Sequence, residues 1–320
     1  MLLSLTACGS STSDEPSSQA GGGAQGGGDA GAAGDNATGG SSGAHAQLTD
    51  FAVWPMPNAP GLGLPNTESY DDTSTPGVVH DLVTGLDWLQ NPGVTLYTRP
   101  DAVSYCEALS LGENDDWRLP TFIELVSLFN VVPSAGANPS YIAAVFQASG
   151  AYWSTSSVIS NPELVRMVAF DADGCGPAKA CSIGVLGDPS KAVGGAFCVR
   201  TSNASANGAR FEVASDHVND TGTGLSWLVL PAASQNGTAA DALSRCTALG
   251  NGARVPSITE LLTILTPVLD PTVFPGWPGN EFAWSSSTIP AIPDSFWIGG
   301  ITGASEASAS TSTNRVQCVR

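Results

Sequence analysis

Positive charge is what this chain has least of. Its 320 residues hold two lysines and nine arginines against 29 aspartates and glutamates, a net charge of −18. Nucleic acid, whose phosphates demand a basic surface, is excluded as a partner, and so is direct adhesion to an anionic membrane. No run of 18 apolar residues occurs, so no segment reads as a membrane-spanning helix. The three histidines (His45, His80, His217) are scattered and there is no CxxC pair, which speaks against a zinc site. Also missing are an HExxH motif, a phosphate-binding glycine loop and a recognisable Ser/His/Asp set. No catalytic residue, metal or cofactor is expected. The acidity itself reads as a solubilising surface.

What is present is one set of marks that occurs twice in the same order. The first copy reads VVHDLVTGLDWL (78–89), AVSYCEAL (102–109), DWRLPTFIELVSLF (116–129), YWSTSS (152–157) and FCVR (197–200). The second reads VNDTGTGLSWL (218–228), ALSRCTAL (242–249), ARVPSITELLTIL (253–265), AWSSST (283–288) and QCVR (317–320). Fixed order with drifting spacing indicates a duplicated domain rather than a short-period solenoid. Each copy is long enough to bury a core of its own. The expected organisation is a leader over 1–8, a tether over 9–48, a first domain over 49–200, a linker over 201–211 and a second domain over 212–320.

Residues 1–8 end in Leu5-Thr6-Ala7-Cys8, which resembles a bacterial lipobox with Cys8 as the lipid-bearing residue. The apolar stretch before it is short for a full signal peptide and carries no Lys or Arg, so either the true start lies upstream or the match is accidental. The following Ser/Gly/Ala tract lacks the large apolar side chains needed to offset chain entropy. It reads as a disordered tether with a mean reach of roughly 35 Å. An exported protein, anchored by lipid at the outer membrane or displayed at the cell surface, is the expectation.

Cys8 aside, six cysteines remain, which allow fifteen connectivities. In the duplication Cys106 matches Cys246 and Cys198 matches Cys318. If each copy closes its own bridge, the pairs are Cys106–Cys198 and Cys246–Cys318. Cys175 and Cys181 then pair within an insertion, GCGPAKAC, that the second copy lacks. Each long bridge would contribute about 4–5 kcal/mol by constraining the unfolded chain. Disulfides also imply an oxidising compartment.

Within a copy, two apolar runs around Thr84-Gly85 read as a hairpin. Residues 100–109 predict a helix with Ala102, Tyr105, Cys106 and Leu109 on one face. Pro120-Thr121-Phe122-Ile123-Glu124 and Pro256-Ser257-Ile258-Thr259-Glu260 each spell a capping box before an apolar run. Thr121, Glu124, Ser257 and Glu260 are therefore read as helix caps, not as catalytic acids, and Arg118 and Arg254 as anchors of the helix start. The runs YWSTSS, LVRMVAF and FCVR are expected to form one antiparallel sheet. The fold class is α+β. Trp88, Trp153, Trp227 and Trp284 recur at matched positions and read as core, while Trp54, Trp277 and Trp297 read as candidates for an exposed surface. Asp171-Ala172-Asp173-Gly174 looks like the start of a calcium loop but lacks the downstream glutamate.

TGLDW, SYC, WRLPT with its acidic helix, YWS and the closing CVR resemble the bacterial DUF1566 family, also called the Lcl C-terminal domain after a collagen-like adhesin. The resemblance covers about residues 70–200 and 212–320. It is degraded in the second copy, where Ala253, Val255 and Ser257 replace residues of WRLPT. Through YC…RLPT…E the chain is also similar to formylglycine-generating-enzyme-type domains. This likeness implies a C-type-lectin-like fold, so the chain is read as two tandem, disulfide-stapled domains of that fold. That enzyme's chemistry uses reactive copper-binding cysteines, and neither copy keeps a spare pair. The lectin triplets EPN, QPD and WND are absent too.

The resemblance implies a non-catalytic binding or adhesion module whose partner is a neutral glycan or an envelope protein. The sulfated polysaccharides associated with the adhesin suit a basic surface, not this one. The alternatives are a structural envelope protein without a soluble ligand, or an enzyme of the formylglycine-generating type. Function is sought outside the repeated set, in the Cys175–Cys181 insertion, the 133–150 loop and residues 271–281.

Overall fold

A computed structural model describes residues 52–133, 140–158, 161–171, 183–201, 210–265, 282–300 and 305–320. Cys8, the 9–48 tract, Cys175, Cys181, Trp277 and the 271–281 segment lie outside the described residues. Gly43–Arg320 forms one compact unit.

The first half runs β1 (Tyr70–Asp71), β2 (Val78–Asp81), β3 (Leu86–Leu89), α1 (Arg99–Glu107), α2 (Phe122–Ser127), β4 (Ala151–Val158), β5 (Asn161–Ala169), β6 (Gly184–Gly187) and β7 (Val199–Thr201). The second runs β8 (Phe211–Val213), β9 (His217–Asp220), β10 (Leu225–Leu228), β11 (Asn236–Gly237), α3 (Ala239–Ala248), α4 (Ile258–Leu265), β12 (Phe282–Thr288), β13 (Ser295–Gly300), β14 (Ser305–Ala309), β15 (Asn314–Arg315) and β16 (Cys318–Val319). The sheet order β1-β2-β3-β7 repeats as β8-β9-β10-β16, and β4-β5-β6 repeats within β11-β15-β12-β13-β14. The halves are thus α+β and alike in the order of their elements.

Local chemistry accounts for the elements. The β2–β3 and β9–β10 turns are closed by Gly85 and Gly224, whose φ of +72° and +75° disfavours any residue with a side chain. Asp81 Oδ1 accepts from the amides of Val83 and Thr84, and Asp220 Oδ1 from those of Gly222 and Thr223, so an Asx turn precedes each glycine. Thr98 and Thr238 cap α1 and α3, each accepting from an amide three residues on.

Two expectations are corrected here. The FCVR run does not join the sheet of YWSTSS and LVRMVAF. Its strand β7 lies beside β3, with Trp88 opposite Val199. A three-residue strand carries no periodicity that could name its neighbour, and the decision is made by the chain's return to α1. Tyr105 lies on the exposed side of α1 against Tyr97, with ring centroids 5.2 Å apart, and only Ala102 and Cys106 are buried.

Cys106 is bonded to Cys198 and Cys246 to Cys318, each with Cα atoms 5.4 Å apart. Each bridge sits in an apolar cluster of its own half, with Trp117 and Trp153 in one and Trp284 and Ile298 in the other. The largest cluster is shared. It holds Trp88, Phe122, Ile123 and Leu125 from the first half and Trp227, Ile258, Leu261 and Leu265 from the second. All six residues of α2 and all eight of α4 are buried. Their polar members are hydrogen-bonded within the fold, and α2 and α4 pack on each other.

Trp297, a candidate for exposure, lies at this junction with its surface fully covered. Its ring stands edge-on to Phe129 and Tyr141, which stack on each other at 5.2 Å. Tyr141, Ile142 and Phe146, from the loop in which function was sought, are core residues as well. Residues 52–60 add to the join. Ala52, Met56 and Ala59 enter the shared core, Thr259 donates to the Pro57 carbonyl, and Asn58 donates to Glu260. A segment assigned by sequence to the first copy therefore rests on the helix of the second. Relative motion of the halves is opposed by this common core.

Trp297→Ala is expected to lower stability by about 3–5 kcal/mol. Guanidinium unfolding followed by fluorescence and by circular dichroism should show one coincident transition shifted as a whole, not the loss of the second half alone.

Candidate functional site

The repeated motif is a latch. Arg118 pairs with Val199 of β7 through both backbone bonds at 2.9 Å, and its guanidinium grips Glu124 at 2.8 and 2.5 Å. The Glu124 carboxylate also accepts from the Thr121 amide at 2.7 Å, while Thr121 Oγ1 accepts from the Glu124 amide. Ser156 Oγ from β4 takes the Phe122 amide. The second half repeats this with Arg254, Val319, Glu260, Ser257, Ile258 and Ser287. Both oxygens of each glutamate are thus engaged, and both side chains are buried. Neither is placed to exchange a proton with a substrate.

The tryptophans of YWS and AWS act as struts. Trp153 Nε1 donates to the Tyr97 carbonyl at 2.8 Å and Trp284 Nε1 to that of Gly237 at 2.7 Å. Among the described residues no group of three or more His, Cys, Asp or Glu is arranged to hold a metal. No helix among them is long and apolar enough to cross a membrane. A small cavity near β2 is lined by Ser74, His80 and Asp87. His80 Nδ1 meets Asp87, but the Ser74 hydroxyl donates to Asp71 rather than to the imidazole, so no activated nucleophile results.

Two differences between the halves bear on buried charge and open space. The first is the buried aspartate of the hairpin. In the second half Arg210 meets Asp220 at 2.9 and 2.7 Å and also donates to the Thr263 carbonyl. By strand register the residue in the place of Arg210 is Ser69, because Phe211 opposes Asp220 as Tyr70 opposes Asp81. Asp81 Oδ2 and the Tyr70 hydroxyl are accordingly buried without partners among the described residues. Burial pushes the Asp81 carboxyl above its ordinary range. The nearby Glu68 is raised to about 7, first by burial and then by Asp81, against the opposing hydrogen bond from Asn130.

The second difference adjoins a cavity. Arg99 opens α1 and sends Nε to the Ser154 carbonyl at 3.1 Å and Nη2 to the Thr155 carbonyl at 2.7 Å. These carbonyls lie where the β4–β5 register shifts, between Trp153 and Ser157. Their counterparts are Ser285 and Ser286, in the matching shift between Trp284 and Thr288. The correspondence is fixed by matched bonds: Ser154 and Ser285 each donate to the facing strand, and the Thr155 and Ser286 amides to Pro120 and Pro256. The counterpart of Arg99 is Ala239. Beside Ala239, between α3 and β12–β13, lies a cavity of about 620 Å³, far more than one arginine side chain would fill and walled in part by the unmatched run 289–294. Its walls include Leu243, Trp284, Ile289, Ile292 and Phe296, with the Asp294 carboxylate at an exposed position. That volume is ordinary for a ligand site, which typically spans about 300–1,000 Å³.

The described residues of the 133–150 loop do not line this cavity, and the Cys175–Cys181 insertion and residues 271–281 lie outside the described residues. The usable signal was the Arg99-to-Ala239 change in a pair of helices that share Asp101/Asp241, Ala102/Ala242, Ser104/Ser244 and Cys106/Cys246, together with the unmatched IPAIPD run (289–294).

A duplicated, disulfide-stapled α+β unit with these motifs is what the geometry defines. Residues 77–182 match the family model described as the Lcl C-terminal domain. No curated protein matches the chain.

Between about pH 4.5 and 7 the folded chain holds the Glu68 proton more tightly than the unfolded chain does. Its contribution is therefore complete below pH 4.5 and lost as pH rises through about 7. Melting temperatures measured across this window should fall with rising pH, and Glu68→Gln should flatten that slope.

Proposed function

We propose that this protein is a non-catalytic binding module of the bacterial cell surface. In this reading a lipid on Cys8 anchors it to the outer membrane and the 9–48 tract serves as its tether. The two halves are tandem copies of one C-type-lectin-like domain, the second degraded from the family pattern. Their shared order of elements and matched latches support that view. The single observation that carries the binding reading is the cavity beside Ala239, at the position where the first half carries Arg99. A catalytic reading of the formylglycine-generating type has less support, since Cys106, Cys198, Cys246 and Cys318 are spent on bridges.

The lining favours a protein partner in the envelope over a neutral glycan. Leu243, Ile292 and Phe296 offer apolar contact, whereas Trp284 is fully buried and presents no open platform to a sugar ring. A sulfated polymer would meet a net charge of −18.

Ala240 is exposed at the cavity wall near the start of α3, so Ala240→Trp blocks the cavity with little threat to the fold. Immobilised protein should retain one or more defined envelope proteins, and the blocked variant should retain them about tenfold less. Equal retention by both, or retention of neutral glycans that ignores the block, removes the cavity from the function. Retention of nothing favours a structural envelope protein without a soluble ligand.

A further inference from the structure

The first half shows what its own cavity position accepts: an arginine. The Arg99 side chain lies across β4 with its guanidinium on two adjacent carbonyls, those of Ser154 and Thr155. Guanidinium is a planar donor with no acceptor of its own, and it is less strongly hydrated than an ammonium, so it suits such a half-buried pair of carbonyls. In the second half the same register shift presents Ser285 and Ser286 to the cavity, and among the described residues no side chain donates to either carbonyl. Asp294, from the β12–β13 connection, is the acidic residue of the lining. Asp294 makes no ion pair among the described residues, and no arginine or lysine lines the cavity.

We propose that the cavity of the second half is a receptor for an arginine side chain of a partner polypeptide, seated as Arg99 is seated in the first half. This deepens the binding reading above and rests on it. The guanidinium would donate to the carbonyls of Ser285 and Ser286 and be faced by Asp294, while its methylene stem runs over Ala239 and Ala242. Space remains for an apolar neighbour against Ile292 and Phe296, which fits a short peptide segment rather than a free amino acid. Residues 1–98 hold no Lys or Arg and so do not supply the occupant. A net charge of −18 draws in a basic partner at long range.

The test uses an acetylated, amidated tetrapeptide with leucine and arginine at its centre. It is compared with the same peptide carrying citrulline, which keeps the shape and loses the charge, or lysine. Binding is followed by amide and indole chemical shifts in the intact protein. The arginine peptide should bind, and the citrulline and lysine peptides should bind about tenfold more weakly or worse, as loss of charged donors and of the paired geometry implies. Ala239→Arg restores the first-half arrangement from within, so it should abolish peptide binding and raise the melting temperature. Ala240→Trp, a second block at a different atom, should abolish binding without supplying the guanidinium.

Equal binding of the citrulline peptide overturns arginine recognition and leaves an apolar site. No binding of any peptide, with retention of an envelope protein still sensitive to Ala240→Trp, overturns this inference alone. Insensitivity of that retention to both variants overturns the binding reading itself.

Discussion

A carboxylate withdrawn from water must have its oxygens met by donors, or it costs several kcal/mol. Glu124 and Glu260 meet that demand from separate parts of the chain at once. A guanidinium fixed to the closing strand supplies two donors and the first amide of the helix supplies another. The helix start, the arginine loop and the last strand of each half are thereby placed by one group. The disulfides act on the same closure from the other side, joining that strand to α1 or α3. Because β4 and β12 hand a serine hydroxyl to the same helix start, the second sheet is registered against the first.

With each half fixed internally, the halves differ in detail while keeping a common centre. The latch sets α2 and α4 on the sheet of their own half and against each other, and their mutual burial joins the halves through a shared core. Divergence occurs at that centre, where Trp297 is unmatched, and also away from it. Arg210 neutralises one hairpin aspartate, and no arginine serves the other. Arg99 lies across one groove, and its alanine counterpart borders an open one.

Much of this was legible in the sequence because it is local. Thr121-x-x-Glu124 and Ser257-x-x-Glu260 specify caps within four residues, and Thr84-Gly85 specifies a turn within two. The pairing of β7 with β3 was not legible, since a strand's neighbour depends on the path of the whole chain. Trp297 misled for a related reason. Having no match in the first copy suggested a surface role, but an unmatched aromatic is also what an interface between copies requires. The cavity was hidden because a missing side chain leaves no motif. It becomes visible only when Arg99 and Ala239 are laid on each other and the carbonyls they face are known.

The N-terminal stretch from Ala52 to Ala59 has a mechanical consequence. It precedes the first half in the chain yet is seated in the shared core and bonded to α4 of the second. Tension applied to the backbone ahead of residue 52 would enter at the junction of the halves and be divided between them. It would not peel β1 and β2 from the first half in sequence order. Shearing this strip out requires stripping Met56 from the common centre and the Asn58 contact from Glu260, so a pull from that side is met where the two halves join.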